Sequence, residues 1–143
     1  MNKEIENAED NYNLAFGNFM SANVDVCRTR AFLRNLQSNY KFYQKEIIKY
    51  KGFIKDINDF CARHNLTKDK KPWGRIQDYL NVIGYYKGQI VKCQEQIIKT
   101  KSLLRKYETK QNIAYNGYKD TKKEFTEVAF KDVVNNFLQG KYN

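Results

Sequence analysis

The chain has 143 residues, is 41% hydrophobic and 29% charged, and carries 26 Lys and Arg against 16 Asp and Glu, a net charge of +10. That length is one domain's worth of chain, and no apolar run approaches the ~20 residues that a helical bilayer span requires. One histidine and three scattered cysteines leave little material for metal or nucleophilic chemistry.

The first element declares itself by spacing. Ile5, Ala8, Tyr12, Ala15, Phe19, Ala22, Val26, Thr29, Leu33, Leu36, Tyr40, Tyr43, Ile47, Tyr50, Ile54, Ile57 and Cys61 follow an unbroken alternation of three- and four-residue steps. This puts one narrow apolar stripe along a long helix, the a/d seam of a coiled coil. An interval over 62–75 then loses the period and carries Pro72, the only proline. Proline is tolerated in the first turn of a helix and costly inside one, so a second helix is predicted to begin near Pro72. The period resumes through Ile76, Tyr79, Ile83, Tyr86, Ile90, Cys93, Ile97, Thr100, Leu104, Tyr107, Gln111, Ala114, Tyr118, Thr121, Phe125 and Val128. Of the 33 seam positions 29 are apolar, against roughly 13 or 14 expected of a chain of this composition.

The predicted fold is therefore all-α, a long antiparallel helical hairpin of coiled-coil type. Arm one runs over about 3–61, the turn over about 62–75 and arm two over about 72–129. A C-terminal apolar helical tail follows over about 130–143. Position i faces roughly 137 − i, and each arm reaches ~85 Å at the helical rise. Gly52 then faces Gly84, and Gly17 lies close to Gly117, so the glycines serve either close backbone approach or a shared bend. Sharp bends would fold the rod into a bundle of four or five helices. Pairing of two hairpins as a four-helix dimer is the other alternative, because a lone two-helix rod buries little apolar area. Apolar residues outside the seam supply a covering layer: Phe32, Phe53, Phe60, Leu80 and Leu103 beside it, and Phe42, Ile48, Tyr85, Val91 and Ile98 farther out. The tail, with Phe130, Val133, Val134, Phe137 and Leu138, is expected to form part of that cover.

Eight seam positions are tyrosine, whose hydroxyl needs water or a partner. They point to a splayed, half-wet seam, with base stacking on a single strand as the functional alternative.

Charge is segregated along the chain. Residues 28–110 hold 20 basic and 7 acidic groups, whereas residues 1–27 hold one basic and five acidic. Arg28, Arg34, Lys41, Lys45, Lys49 and Lys55 on arm one and Lys92, Lys99, Arg105 and Lys106 on arm two occupy outward b, c and f positions. Lys68, Lys70, Lys71 and Arg75 crown the turn. Such a surface attracts polyanions by counterion release and electrostatic steering. Lysines outnumber arginines 20 to 6, which fits phosphate contact without base reading. Phe42, Ile48, Trp73, Tyr85, Val91 and Ile98 are candidates for a protein interface.

Catalysis finds no support. Cys61-x-x-His64 is half a zinc site without a second pair, and no Gly-rich phosphate loop or nucleophile elbow appears. No metal and no cofactor are expected. Gly84 and Gly88 match the small-xxx-small spacing that lets helices approach closely. Trp73-Gly74 lacks the intervening residue of the Trp-x-Gly secreted hairpins, and that family is set aside. Three cysteines without a secretion signal point to reduced thiols, and a cytoplasmic location is expected.

The expected function is a non-enzymatic basic coiled-coil protein that engages nucleic acid or a nucleoprotein enzyme. Its size and residue biases fit a phage or mobile-element protein that blocks or recruits a host machine. A structural or assembly scaffold or adaptor acting through protein contacts alone is the alternative, and an anionic membrane surface comes third; in any of these roles the chain is expected to form a homo-oligomer.

Overall fold

The computed structural model describes residues 2–140. They form two α-helices, α1 (Lys3–Arg63) and α2 (Trp73–Leu138), packed together as an antiparallel hairpin, with one 3₁₀ turn (Lys68–Lys70) between them. Asn2 begins α1 by accepting the Glu4 N–H on its side-chain oxygen at 2.9 Å, and Glu4 and Glu6 in the first turn complement the helix dipole. The end of α1 is closed by a left-handed residue, Asn65, with φ 53°. The Leu66 N–H reaches back to the Cys61 carbonyl at 3.0 Å, and the Asn65 N–H to that of Ala62 at 3.2 Å. This pair of bonds is the Schellman arrangement, and it satisfies carbonyls that the helix end would otherwise orphan. Pro72 stands immediately before α2 and its carbonyl accepts the Ile76 N–H at 3.1 Å, so the proline falls where its missing donor costs nothing.

The seam is where the spacing put it. Every one of the 33 seam positions is buried or half-buried, and all ten fully buried residues among those described belong to it. Val26 is 0% exposed. The four seam positions that are not apolar are each accommodated. Thr29 and Thr121 return their hydroxyls to their own helix, at Asp25 O (2.7 Å) and Gly117 O (2.9 Å), and Thr100 is buried. Gln111 donates across the seam to the Asn23 side chain at 2.7 Å. A polar layer of this kind fixes register. All eight seam tyrosines are half-buried, as the size of the ring and the wet tip require.

Contacts cluster into two compact units. The terminal unit is built from the segments up to Arg30 and from Ser102 onward, and the turn unit is Ala31–Lys101. In the terminal unit Phe16 meets Tyr118 and Phe19 meets Tyr115, with ring centroids 5.8 and 5.3 Å apart. That register is about one helical turn short of 137 − i. In the turn unit Tyr50 meets both Tyr79 and Tyr86, at 5.6 and 6.4 Å, so the point it faces, midway between them, is likewise about one turn short of 137 − i. α2 therefore starts alongside the last turns of α1, which runs on to Arg63, and not beyond them.

The expected use of the glycines is not realised. Gly17, Gly52, Gly84, Gly88 and Gly117 all lie inside continuous helix, and a methyl group added at any of them would meet no atom within 4 Å. They neither seat one helix against the other nor break a helix into shorter ones. The tail is also different from expectation. Up to Leu138 it is the last turns of α2, and Phe130, Val133, Val134, Phe137 and Leu138 are exposed there, covering nothing; the end of the tail over 141–143 lies outside the described residues.

Candidate anion-binding face

Charge divides between the units more sharply than along the chain. The turn unit holds 15 Lys and Arg against 6 Asp and Glu, net +9, while the terminal unit holds 11 against 10, net +1. Arg28, Arg105 and Lys106 belong to the nearly neutral unit, where Arg30 pairs with Glu108 at 3.7 Å. The other eleven candidate cations belong to the turn unit.

The two flanks of the turn unit are chemically different. In an antiparallel pair the e edges of the two helices meet on one side of the seam and the g edges on the other. The g side, with the adjoining c positions, is aromatic. Phe53 packs on Tyr79 at 5.5 Å and Phe42 on Tyr86 at 6.2 Å, with Tyr85 beside Tyr86. Its cations Lys49, Arg63, Arg75, Lys92 and Lys99 share it with Glu46, Asp56 and Asp78. Lys49 contacts the Glu46 carboxylate at 3.3 Å, and Arg75 bonds the Tyr79 hydroxyl, which holds its guanidinium more firmly protonated.

The e side, with the adjoining b positions, is aliphatic and cationic. There Gln94 reaches the Tyr40 hydroxyl at 3.4 Å. Arg34, Lys41, Lys51 and Lys55 of α1 and Lys87 and Lys101 of α2 stand on this side, all exposed. No Asp or Glu occupies an e or b position of the turn unit. The nearest acidic groups on these helices, Asp59 and Glu95, are at f positions on the helix backs. None of the six cations has a carboxylate within ion-pair distance among the described residues. Six unneutralised cations on one face raise the local potential for an anion.

The fourteen candidate cations thus do not form one stripe. Arg34, Lys41 and Lys55 share the acid-free face, Lys45 sits on the back of α1, and Lys68, Lys70 and Lys71 lie in the connection. Lys51, Lys87 and Lys101 were missed because they stand at e positions beside the seam, not at the outermost ones. The heptad letters, read as edges of an antiparallel pair, carry the signal that finds them.

Trp73 has a local role. Its indole N–H donates to the Lys68 carbonyl at 2.7 Å and the Lys71 ammonium lies 5.4 Å from the ring centroid, so it clasps the connection while staying half-exposed. Nearby, Phe60 packs against His64, centroids 4.3 Å apart. Among the described residues no group of three or more His, Cys, Asp or Glu is placed to hold a metal ion, and no helix is long and apolar enough to cross a membrane. Comparison with protein-family models, curated proteins and solved structures finds no match to this chain.

Proposed function

We propose that this protein is a non-enzymatic binding protein whose turn unit engages an anionic partner, nucleic acid or a nucleoprotein enzyme, by way of its acid-free face. The observation that carries the reading is the placement of +9 of the net +10 charge in the turn unit, with every carboxylate kept off one flank. Lysine-rich contact of this kind supplies affinity and steering without base readout. The setting that fits is the reducing cytoplasm, where Cys27, Cys61 and Cys93 remain free thiols, and a phage or mobile-element protein acting on a host machine is the biological role proposed. The test is titration of a short duplex at about 50 and 200 mM salt. Affinity falling by an order of magnitude or more supports the reading, and a duplex that binds equally well at both salts overturns electrostatic recognition.

A second reading, a scaffold or adaptor acting through protein contacts alone, is favoured by Ile48, Val91 and Ile98, which are 70%, 54% and 69% exposed. Homo-oligomerisation is proposed alongside either reading. The nearly neutral terminal unit exposes Leu14, Phe16, Met20 and Ile113, so two copies meet there without charge repulsion. Light scattering behind size exclusion, with a dimer mass expected, tests it.

A further inference from the structure

The acid-free face of the turn unit is not only cationic. Ile48 on α1 and Leu80, Val91 and Ile98 on α2 occupy its e and b positions, each about half exposed or more. Val91 and Ile98 stand one heptad apart, and Gly84, one heptad before Val91, leaves a gap in the row where a methyl group would touch nothing. Aliphatic groups in this number gain nothing against phosphate or sugar. They gain by burial against other aliphatic groups, while the cations between them demand a partner that brings negative charge on either side of its apolar stripe.

From this complementarity we infer that the face docks an acidic amphipathic helix of another protein, one whose Leu or Ile stripe is edged by Asp and Glu. The inference rests on the reading that the turn unit binds an anionic partner, and it names that partner's class. A second copy of this chain is a poor occupant, since an isologous contact would set the same six cations against themselves. A flat anionic bilayer is poorly served too, because the exposed aromatic rings Phe42 and Tyr85 stand on the opposite flank and the lysines alternate with the aliphatics. The mode is helix-in-groove recognition, with apolar anchors giving affinity and flanking charges giving orientation. The Gly84 gap and the unused Gly84/Gly88 spacing admit the docked helix close to the α2 backbone.

The experiment uses the full chain and three probes: a synthetic helical peptide of about six turns with Leu at a and d and Glu at e and g, a duplex of mixed sequence, and phosphatidylserine vesicles. Binding is followed by fluorescence anisotropy, or by flotation for the vesicles. The variants are Ile48→Gln/Val91→Gln/Ile98→Gln, which leaves the charge unchanged at exposed helical positions, and Lys41→Gln/Lys51→Gln/Lys87→Gln. The expected result is peptide binding that falls about tenfold or more in each triple variant, with duplex binding unaltered by the isoleucine and valine changes. Circular dichroism confirms that both variants keep the wild-type helicity. Duplex or vesicle binding without peptide binding overturns the inference and leaves the broader reading standing. Peptide binding indifferent to the aliphatic substitutions also overturns it, reducing the contact to charge alone. Failure of all three probes at low salt overturns both.

Discussion

The thiol of Cys93 on α2 donates to the main-chain carbonyl of Leu36 on α1 at 3.0 Å, across the seam of the turn unit. A side chain reaching the backbone of the facing helix needs close helix packing, and the small cysteine permits it where a leucine at the same d position would not. Both residues are buried, Cys93 at 4% and Leu36 at 5% exposure, and burial pushes the Cys93 thiol up. Its expected facing position was 44; the contact with Leu36, like that of Gln94 with Tyr40 at 3.4 Å, lies nearer the start of α1 than expected.

Thiol reactivity follows from these placements. Cys27 is exposed while Cys61 and Cys93 are buried, and the thiolate is the nucleophile. One thiol per chain should react with a small disulfide reagent within minutes in native buffer near neutral pH, and three in denaturant. Mass mapping should find the native label on Cys27; a rapid label on Cys93 would contradict the seam.

Helix-interior glycines that touch nothing are opportunities for stabilisation. Gly84→Ala and Gly88→Ala each remove backbone entropy from the unfolded chain without a clash, and each should stabilise by about 0.5–1 kcal/mol. Urea unfolding midpoints measure this, and a loss of stability in either would show that the added methyl is not free.

The left-handed end of α1 makes a prediction of opposite kind at one residue. Asn65→Ala places an ordinary side chain at φ 53° and should cost about 1 kcal/mol, whereas Asn65→Gly should be neutral or slightly stabilising. Thermal unfolding of the two variants side by side decides it.

Core and face should separate cleanly. Leu36→Ala and Ile83→Ala, each 5% exposed, should cost about 2–4 kcal/mol. Ile48→Ala, on the exposed e/b face, should change stability by no more than about 0.5 kcal/mol. A large loss at Ile48 in chemical denaturation would mean that the face is already covered in solution.

Alkaline pH should weaken the fold. The Tyr12 phenol is raised by hydrogen bonding with Tyr118, the Tyr86 phenol by burial and then by the Glu46 charge, and the Cys93 thiol by burial. For each, the folded state holds its proton more tightly than the unfolded chain. Their stabilising effect is therefore complete below the unfolded values, about 8.5 for Cys and 10 for Tyr, and is lost as pH rises through the folded ones. Urea midpoints should hold from about pH 6 to 8 and fall above pH 9; Cys93→Ala should remove the earliest part of that fall.

The seam was legible residue by residue because helical period is a local property: any chain with apolar groups every three or four residues turns one stripe inward, and Ile5 through Val128 obeyed it without exception. Pro72 marked the start of α2 for an equally local reason, the missing N–H. Half-burial of the tyrosines followed from ring size and the hydroxyl's need for water. What only the tertiary structure decided is how the two stripes meet. Register depends on side-chain fit across the seam and on how far α1 runs before Asn65 reverses the chain, and neither is a property of one segment. The glycines show a different limit: matched by number along the hairpin, they stand off the seam at b, f and g positions, where an added methyl group meets nothing. Antiparallel pairing of the two helices gathered Arg34, Lys41, Lys51, Lys55, Lys87 and Lys101 on one flank and kept the carboxylates off it. That sorting appears only when two helices are laid side by side.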